Sequence, residues 1–222
     1  MQVQNWMSRE IITVDEQTPV IEVIRIFDEN GIGHLPVIRK GALVGLITDN
    51  EVKEASPSKK INMNARELYR FLGELKASDI MKKEPIVLSP SDTVEVAAVK
   101  MLERKVTGIP VVSEDFKVIG IITMGDVFRV MISITGIYQR GVQFAFNLED
   151  RAGSIKEVAD VIREENGQIV SILSTKDTAD EGYRHVFIRI ATLKGKTLKR
   201  LTEKLDRNFM LLYVIKDPIK TI

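Results

Sequence analysis

The chain has 222 residues, 44% of them hydrophobic, with 32 Lys and Arg set against 31 Asp and Glu for a formal charge of +1. This length holds one large domain or two small ones with a real core, while the balanced charge supplies no overall field for nucleic acid or an anionic membrane. No cysteine is present, which excludes disulfides, thiolate metal sites and a cysteine nucleophile.

An extended run over Ile11 to Val14 comes first. It is followed by an amphipathic helix whose apolar residues Val20, Val23, Ile24 and Phe27 recur at i, i+3, i+4 and i+7. Thr18 and Pro19 mark the helix start, since proline at the first helical position gives up only an amide that would be unpaired. Two short β-type runs, Leu35 to Ile38 and Leu43 to Thr48, flank a turn at Lys40-Gly41, and a second helix closes the unit. Residues 55–60, Ala-Ser-Pro-Ser-Lys-Lys, break that helix and lead to another over Asn64 to Leu75, with Leu68, Phe71, Leu72 and Leu75 on one face.

The same order then returns. Met7, Ile12, Val20, Val23, Phe27, Pro36 and Val37 reappear as Met81, Ile86, Val94, Ala97, Met101, Pro110 and Val111, a displacement of 74 positions as from Pro36 to Pro110. Asp92 with Glu95 is predicted to form a capping box on the copied helix, and Glu114-Asp115 to turn the copied hairpin. One residue inserted before Val118 shifts the end of the unit, so that Gly45-Leu-Ile-Thr48-x-x-Glu51 is matched by Gly120-Ile-Ile-Thr123-x-x-Asp126. A duplicated β, α, β, β, α unit predicts two halves facing each other, with a ligand crevice between them.

After Gly136 the pattern changes. Phe144, Phe146 and Leu148 alternate as a strand, and Asp150-Arg-Ala-Gly153-Ser154 turns into a helix that carries Ile155, Val158, Ala159 and Ile162 on one face. Strands over Ile169 to Thr175, Val186 to Ile190 and Leu211 to Ile215 follow, with a helix over Thr197 to Leu205 before the last. The order β, α, β, β, α, β is ferredoxin-like, so a second domain is expected from near Gly141 and the whole chain is α/β (α+β).

Two features bear on function. Thr48-x-x-Glu51 and Thr123-x-x-Asp126 each read as a helix capping box, which needs no ligand. Their common place at a strand-to-helix junction gives a second reading, because exposed amides there favour anions and a carboxylate one turn in can accept hydrogen bonds from a ribose diol. The turn at Gly153 likewise reads either as a simple helix start capped by Ser154 or as a place where a small carboxylate meets a helix N-terminus.

The doubled strand, helix, Gly-x-Pro-Val-Val and Gly-Ile-Ile-Thr-x-x-Asp pattern resembles a tandem pair of CBS domains. The resemblance implies a Bateman-type module with repeat 1 over residues 1–54, a linker helix over 55–76 and repeat 2 over 77–136. It further implies two clefts for adenosyl effectors such as AMP, ADP, ATP, S-adenosylmethionine or NAD(H), with the acid on the ribose and the threonine near the phosphate. Carried over by position, one nucleotide cleft uses Ile12, Thr107, Gly108, Ile121, Thr123 and Asp126. The second uses Gly33, His34, Leu46, Thr48, Glu51 and Ile86. Glu51 is a methylene longer than the family's aspartate, and Gly33 stands where many members carry a basic residue, so the Asp126 cleft is favoured.

Residues 141–216 resemble an ACT domain, which implies an amino-acid or small-acid site at Asp150, Gly153, Ser154 and Ile155, although Ala152 stands where many members have proline. The combined order is similar to the acetoin-utilisation AcuB-like proteins. The polar stretch Met1 to Arg9, and the interruption of the apolar stretch Val118 to Ile137 by Asp126 and Arg129, lead to the expectation of a cytoplasmic protein, and the resemblances imply a homodimer that senses small molecules and regulates a protein partner, with the Gly136 to Tyr138 segment as a hinge. The alternative is a dimeric scaffold with unoccupied clefts. No nucleophile with an adjacent base and no Gly-rich phosphate loop is found, so no enzyme, metal or required cofactor is expected. His34 and His185 lack metal-site spacing, and the Lys194 to Lys204 basic helix reads as a solvated face.

Overall fold

The computed structural model describes residues 1–55 and 64–217. They fall into two compact units, residues 1–128 and 129–222. The break predicted at residues 55–60 lies, beyond Ala55, outside the described residues. Among the described residues no helix is long and apolar enough to cross a membrane.

In the first unit β1 (Val14–Asp15), α1 (Val20–Asn30), β2 (His34–Arg39), β3 (Ala42–Thr48) and α2 (Asp49–Ala55) make the first copy. Next come α3 (Ala65–Glu74) and α4 (Ala77–Ile80), then the second copy, β4 (Lys82–Lys83), α5 (Val94–Arg104), β5 (Gly108–Val112), β6 (Val118–Thr123) and α6 (Met124–Thr135), of which the part from Arg129 onward belongs to the second unit. Lys40 and Gly41 turn the β2–β3 hairpin with φ of 50° and 84°, the pair of left-handed residues that a two-residue hairpin of matching twist requires. The strands β5 and β6 also pair antiparallel, but through a longer turn over residues 113–117 in which Phe116 takes a φ of 57°.

Local details depart from the sequence expectation. Pro19 occupies the cap position and α1 begins at Val20. The capping box predicted for Asp92 and Glu95 does not form: Thr93 caps α5, its hydroxyl accepting from the Val96 amide at 3.3 Å, and Asp92 instead accepts from the Ser89 amide at 2.8 Å. Asp92 lies one residue too early, in the turn that follows Pro90. Of the extended run over Ile11 to Val14 only Val14 pairs as a strand, together with Asp15, and the equivalent stretch of the copy contributes a single bridge from Leu88 to Val111.

The two copies are interlaced, and this positions the site. Val3 donates its amide to the Asp92 carbonyl at 2.8 Å, and Val94 donates to the Met1 carbonyl at 2.8 Å, which ties the leading segment of the first copy to the helix start of the second. The symmetric exchange is Ala77 to Thr18 and Val20 to Leu75, each at 2.8 Å. Further along, Ser8 bridges Ile121 in β6, and its counterpart Lys82 pairs with Leu46 in β3. Two glycines make the crossing possible. A Cβ on Gly45 would lie 2.3 Å from the Met81 sulfur, and one on Gly120 would lie 2.2 Å from the Met7 sulfur, so each methionine of one copy fills the space left by a glycine of the other.

In the second unit β7 (Gly141–Glu149), α7 (Ser154–Glu164), β8 (Ile169–Thr175), β9 (Tyr183–Ala191), α8 (Gly195–Asn208) and β10 (Met210–Lys216) form an antiparallel sheet in the order β10-β7-β9-β8. Phe144, Phe146 and Ile188 of the sheet meet Val158 and Ile162 of α7 and Leu201 and Leu205 of α8 in one core. Their spacing of two along the strands and of three or four along the helices puts each on the buried face. At the end of α6 the Thr135 carbonyl accepts from Arg189 Nε at 2.7 Å and from the Ser171 hydroxyl at 2.9 Å. The Arg189 guanidinium is also paired with Asp217, and both side chains are buried.

Candidate functional site: a cleft between the two copies

The junction from β6 into α6 places Thr123 and Asp126 one turn apart. Asp126 Oδ2 accepts from both the Thr123 amide and the Thr123 hydroxyl at 2.7 Å, while the hydroxyl accepts from the Asp126 amide at 3.3 Å. This is a complete capping box, yet the carboxylate also borders a cavity of about 280 Å³, although the Asp126 side chain is only 4% exposed. Ile12, Ile32 and Ile121 give that cavity apolar walls, and Ser8, Glu10 and His34 add polar groups. An apolar slot with a few convergent polar groups suits a flat heteroaromatic ligand with a polar end.

Of the residues first grouped with Asp126, Ile12, Ile121 and Thr123 line the same cavity. Thr107 and Gly108 do not; in their place stand Gly33 and His34, which sequence reasoning assigned to the other cleft. The reason is the crossing of the strands. His34 is in register with Thr48 on its own hairpin, but its imidazole Nε2 reaches across to the Thr107 hydroxyl at 2.9 Å. A Cβ on Gly108 would meet the ring at 2.7 Å, so the imidazole is seated against the other copy's backbone. Burial pushes the His34 ring below the ordinary imidazole value, against the opposing pull of Asp49 and Glu51.

A family model for the CBS domain matches residues 3–58 and 77–133, together half of the chain. The chain belongs to the CBS-domain family. The match ends at residue 133, before β7. An inosine-5'-monophosphate dehydrogenase from Korarchaeum cryptofilum is 35% identical over 125 residues, which span 56% of this chain and 23% of that one. Among solved structures, CBSX2 in complex with AMP superposes with a TM-score of 0.51 at 28% identity, covering 60% of this chain and 98% of that one. The CBS domain pair of protein MJ0100, in complex with 5'-methylthioadenosine and S-adenosyl-L-methionine, gives 0.50 at 26% identity, covering 59% and 95%. A chain from Vibrio cholerae assigned as an acetoin utilization protein, AcuB, shares the fold with a TM-score of 0.51 at 20% identity, covering 62% and 94%.

The other cleft of the CBS pair is different in kind. Leu46, Ile86 and Gly108 line a cavity of about 390 Å³ together with Lys82, Lys83 and Arg104. Thr48 and Glu51 are not among its lining residues. The Glu51 carboxylate accepts from the Thr48 amide at 2.8 Å and from the Thr48 hydroxyl, and Lys82 Nζ lies 2.8 Å from its second oxygen. Burial alone pushes the Glu51 carboxyl up, but the hydrogen bonds from Lys82 and Thr48 outweigh it and hold the group below the usual carboxylate range. Nothing in the copied motif pointed to Lys82, which is found only by asking what replaces Ser8 at the equivalent place.

In the second unit, Gly153 takes a φ of 90° at the start of α7 with no neighbour within 3.9 Å of where its Cβ would stand, so glycine serves the turn rather than a close approach. Ser154 is buried and donates its hydroxyl to the Arg151 carbonyl at 3.1 Å, while Ile155 packs on the core. Asp150 is held by Lys176 and by Arg184, the hydrogen bond from Lys176 keeping its carboxyl below the usual range. Among the described residues no three His, Cys, Asp or Glu side chains gather as a metal site would require.

Proposed function

We propose that this protein is a non-enzymatic regulator whose CBS pair senses an adenosyl compound in the cleft of Asp126. The observation that carries this is a buried carboxylate, held by its threonine at 2.7 Å, on the wall of a cavity between two copies of the unit whose apolar walls are Ile12, Ile32 and Ile121 and whose other polar groups include Ser8, Glu10 and His34. In this role Asp126 accepts hydrogen bonds from the ribose hydroxyls, Ile12 and Ile121 sandwich the adenine, and Thr123 with the α6 amides faces the phosphate or its substitute. The AMP bound by CBSX2, and the 5'-methylthioadenosine and S-adenosyl-L-methionine bound by MJ0100, belong to the same chemical class.

The second unit fits an ACT-type regulatory module, with a small carboxylic or amino acid at the start of α7 beside the Lys176 and Arg184 cations, working as a cytoplasmic homodimer. Ligand preference for one arrangement of the CBS pair would be passed on through α6, which begins at the site and ends at the Arg189 contact. The test is a thermal-shift and calorimetry panel of AMP, ADP, ATP, S-adenosylmethionine, NAD(H) and amino acids. A ligand at about 100 times its Kd adds ~2.7 kcal/mol of stability, and Asp126→Ala should abolish the response to the adenosyl compound. Silence across the panel would favour a dimeric scaffold with unoccupied clefts.

A further inference from the structure

The two clefts share a backbone plan and end in different side chains. Ser8 exchanges hydrogen bonds with the Ile121 backbone at 2.9 and 3.0 Å and borders the cavity of Asp126. Its counterpart Lys82 pairs with Leu46 at the equivalent place, borders the other cavity, and puts its ammonium 2.8 Å from Glu51. Glu51 and Asp126 are equally buried, each 4% exposed, but only Asp126 faces its cavity.

We infer that Lys82 is an internal plug that closes the Glu51 cleft to ribosyl ligands, so that the CBS pair takes one adenosyl ligand per chain. A charge-assisted hydrogen bond is stronger than those a neutral diol offers, and although the Lys82 side chain is 64% exposed, its ammonium supplies the counter-charge of a carboxylate that is itself buried. The methylene that distinguishes Glu51 from Asp126 belongs to the same device. The longer side chain, with Thr48 holding one oxygen, still reaches the Lys82 ammonium with the other. At the equivalent place on the wall of the Asp126 cavity stands Ser8, short and uncharged.

This inference takes the identity of the ligand from the proposed function, but different variants decide the two. AMP is titrated calorimetrically into wild type, into Lys82→Ser/Glu51→Asp, and into Ser8→Lys, a substitution at an exposed position that leaves the core untouched. The expected results are one AMP per wild-type chain, two per chain of the double variant, and loss of binding in Ser8→Lys. Two AMP per wild-type chain, no gain in the double variant, or unchanged binding by Ser8→Lys would overturn the plug. If wild type binds no AMP and the double variant binds one, the plug stands and the assignment of Asp126 falls. If neither binds, both fall.

Discussion

His34 Nε2 and the Thr107 hydroxyl meet at 2.9 Å, joining the residues that precede Pro36 in one copy and Pro110 in the other. This contact sits where the two halves cross, and it sets which residues face which cleft.

Because burial lowers the His34 pKa, folding excludes a proton from a ring that titrates near about 6.5 in the unfolded chain. The folded pKa lies below the unfolded one, so the stability this group contributes is present above about pH 6.5 and is lost as pH falls through the folded value. We expect the urea midpoint to drop between about pH 7 and about pH 5, and His34→Gln to flatten that slope. An unchanged slope in the variant would assign the pH dependence to other groups.

Gly45→Ala should destabilise the first unit by about 1–3 kcal/mol, since the new methyl would overlap the Met81 sulfur and force repacking. Combined with Met81→Ala, the cost should be less than the sum of the two single variants, as expected for residues in contact. Strict additivity in chemical denaturation would show that the two positions do not touch.

Arg189 and Asp217 are a buried ion pair, 5% and 3% exposed, with Arg189 also holding the Thr135 carbonyl. Arg189→Gln leaves Asp217 uncompensated and should cost about 3–5 kcal/mol. Arg189→Leu/Asp217→Leu should recover much of that loss, measured as the shift in unfolding midpoint relative to the single variant.

Thr123→Val removes a hydroxyl that donates to Asp126 Oδ2 at 2.7 Å and accepts from the Asp126 amide at 3.3 Å. Loss of this cap should cost about 0.5–2 kcal/mol. The same substitution frees the carboxylate from its orientation, so AMP affinity should fall with it, read by calorimetry. Unaltered affinity would separate the cap from the site.

Part of the lining of the Asp126 cavity was legible in the sequence. Thr123, Asp126 and Ile121 could be set with Ile12 because the copies align residue for residue, and the capping box followed from spacing alone. The CBS resemblance, carried over by position, set Thr107 and Gly108 with Asp126, whereas Gly33 and His34 line that cavity and the His34 ring leans into the other copy. Register fixes the backbone partner of a strand residue, but the side chain leaves the sheet and answers to whatever packs above it.

The sequence by itself determined the duplicated β, α, β, β, α unit, the βαββαβ order after Gly136 and the acids at the two strand-to-helix junctions, because these rest on local periodicity and short-range hydrogen bonding. Only the tertiary structure decided which acid faces a cavity. Asp126 and Glu51 occupy equivalent places, and the crossing chain puts Ser8 on the wall of the Asp126 cavity and the Lys82 ammonium within 2.8 Å of Glu51. That is a contact between residues distant in the chain, and an ion pair forms by proximity in space, which no spacing within a motif encodes.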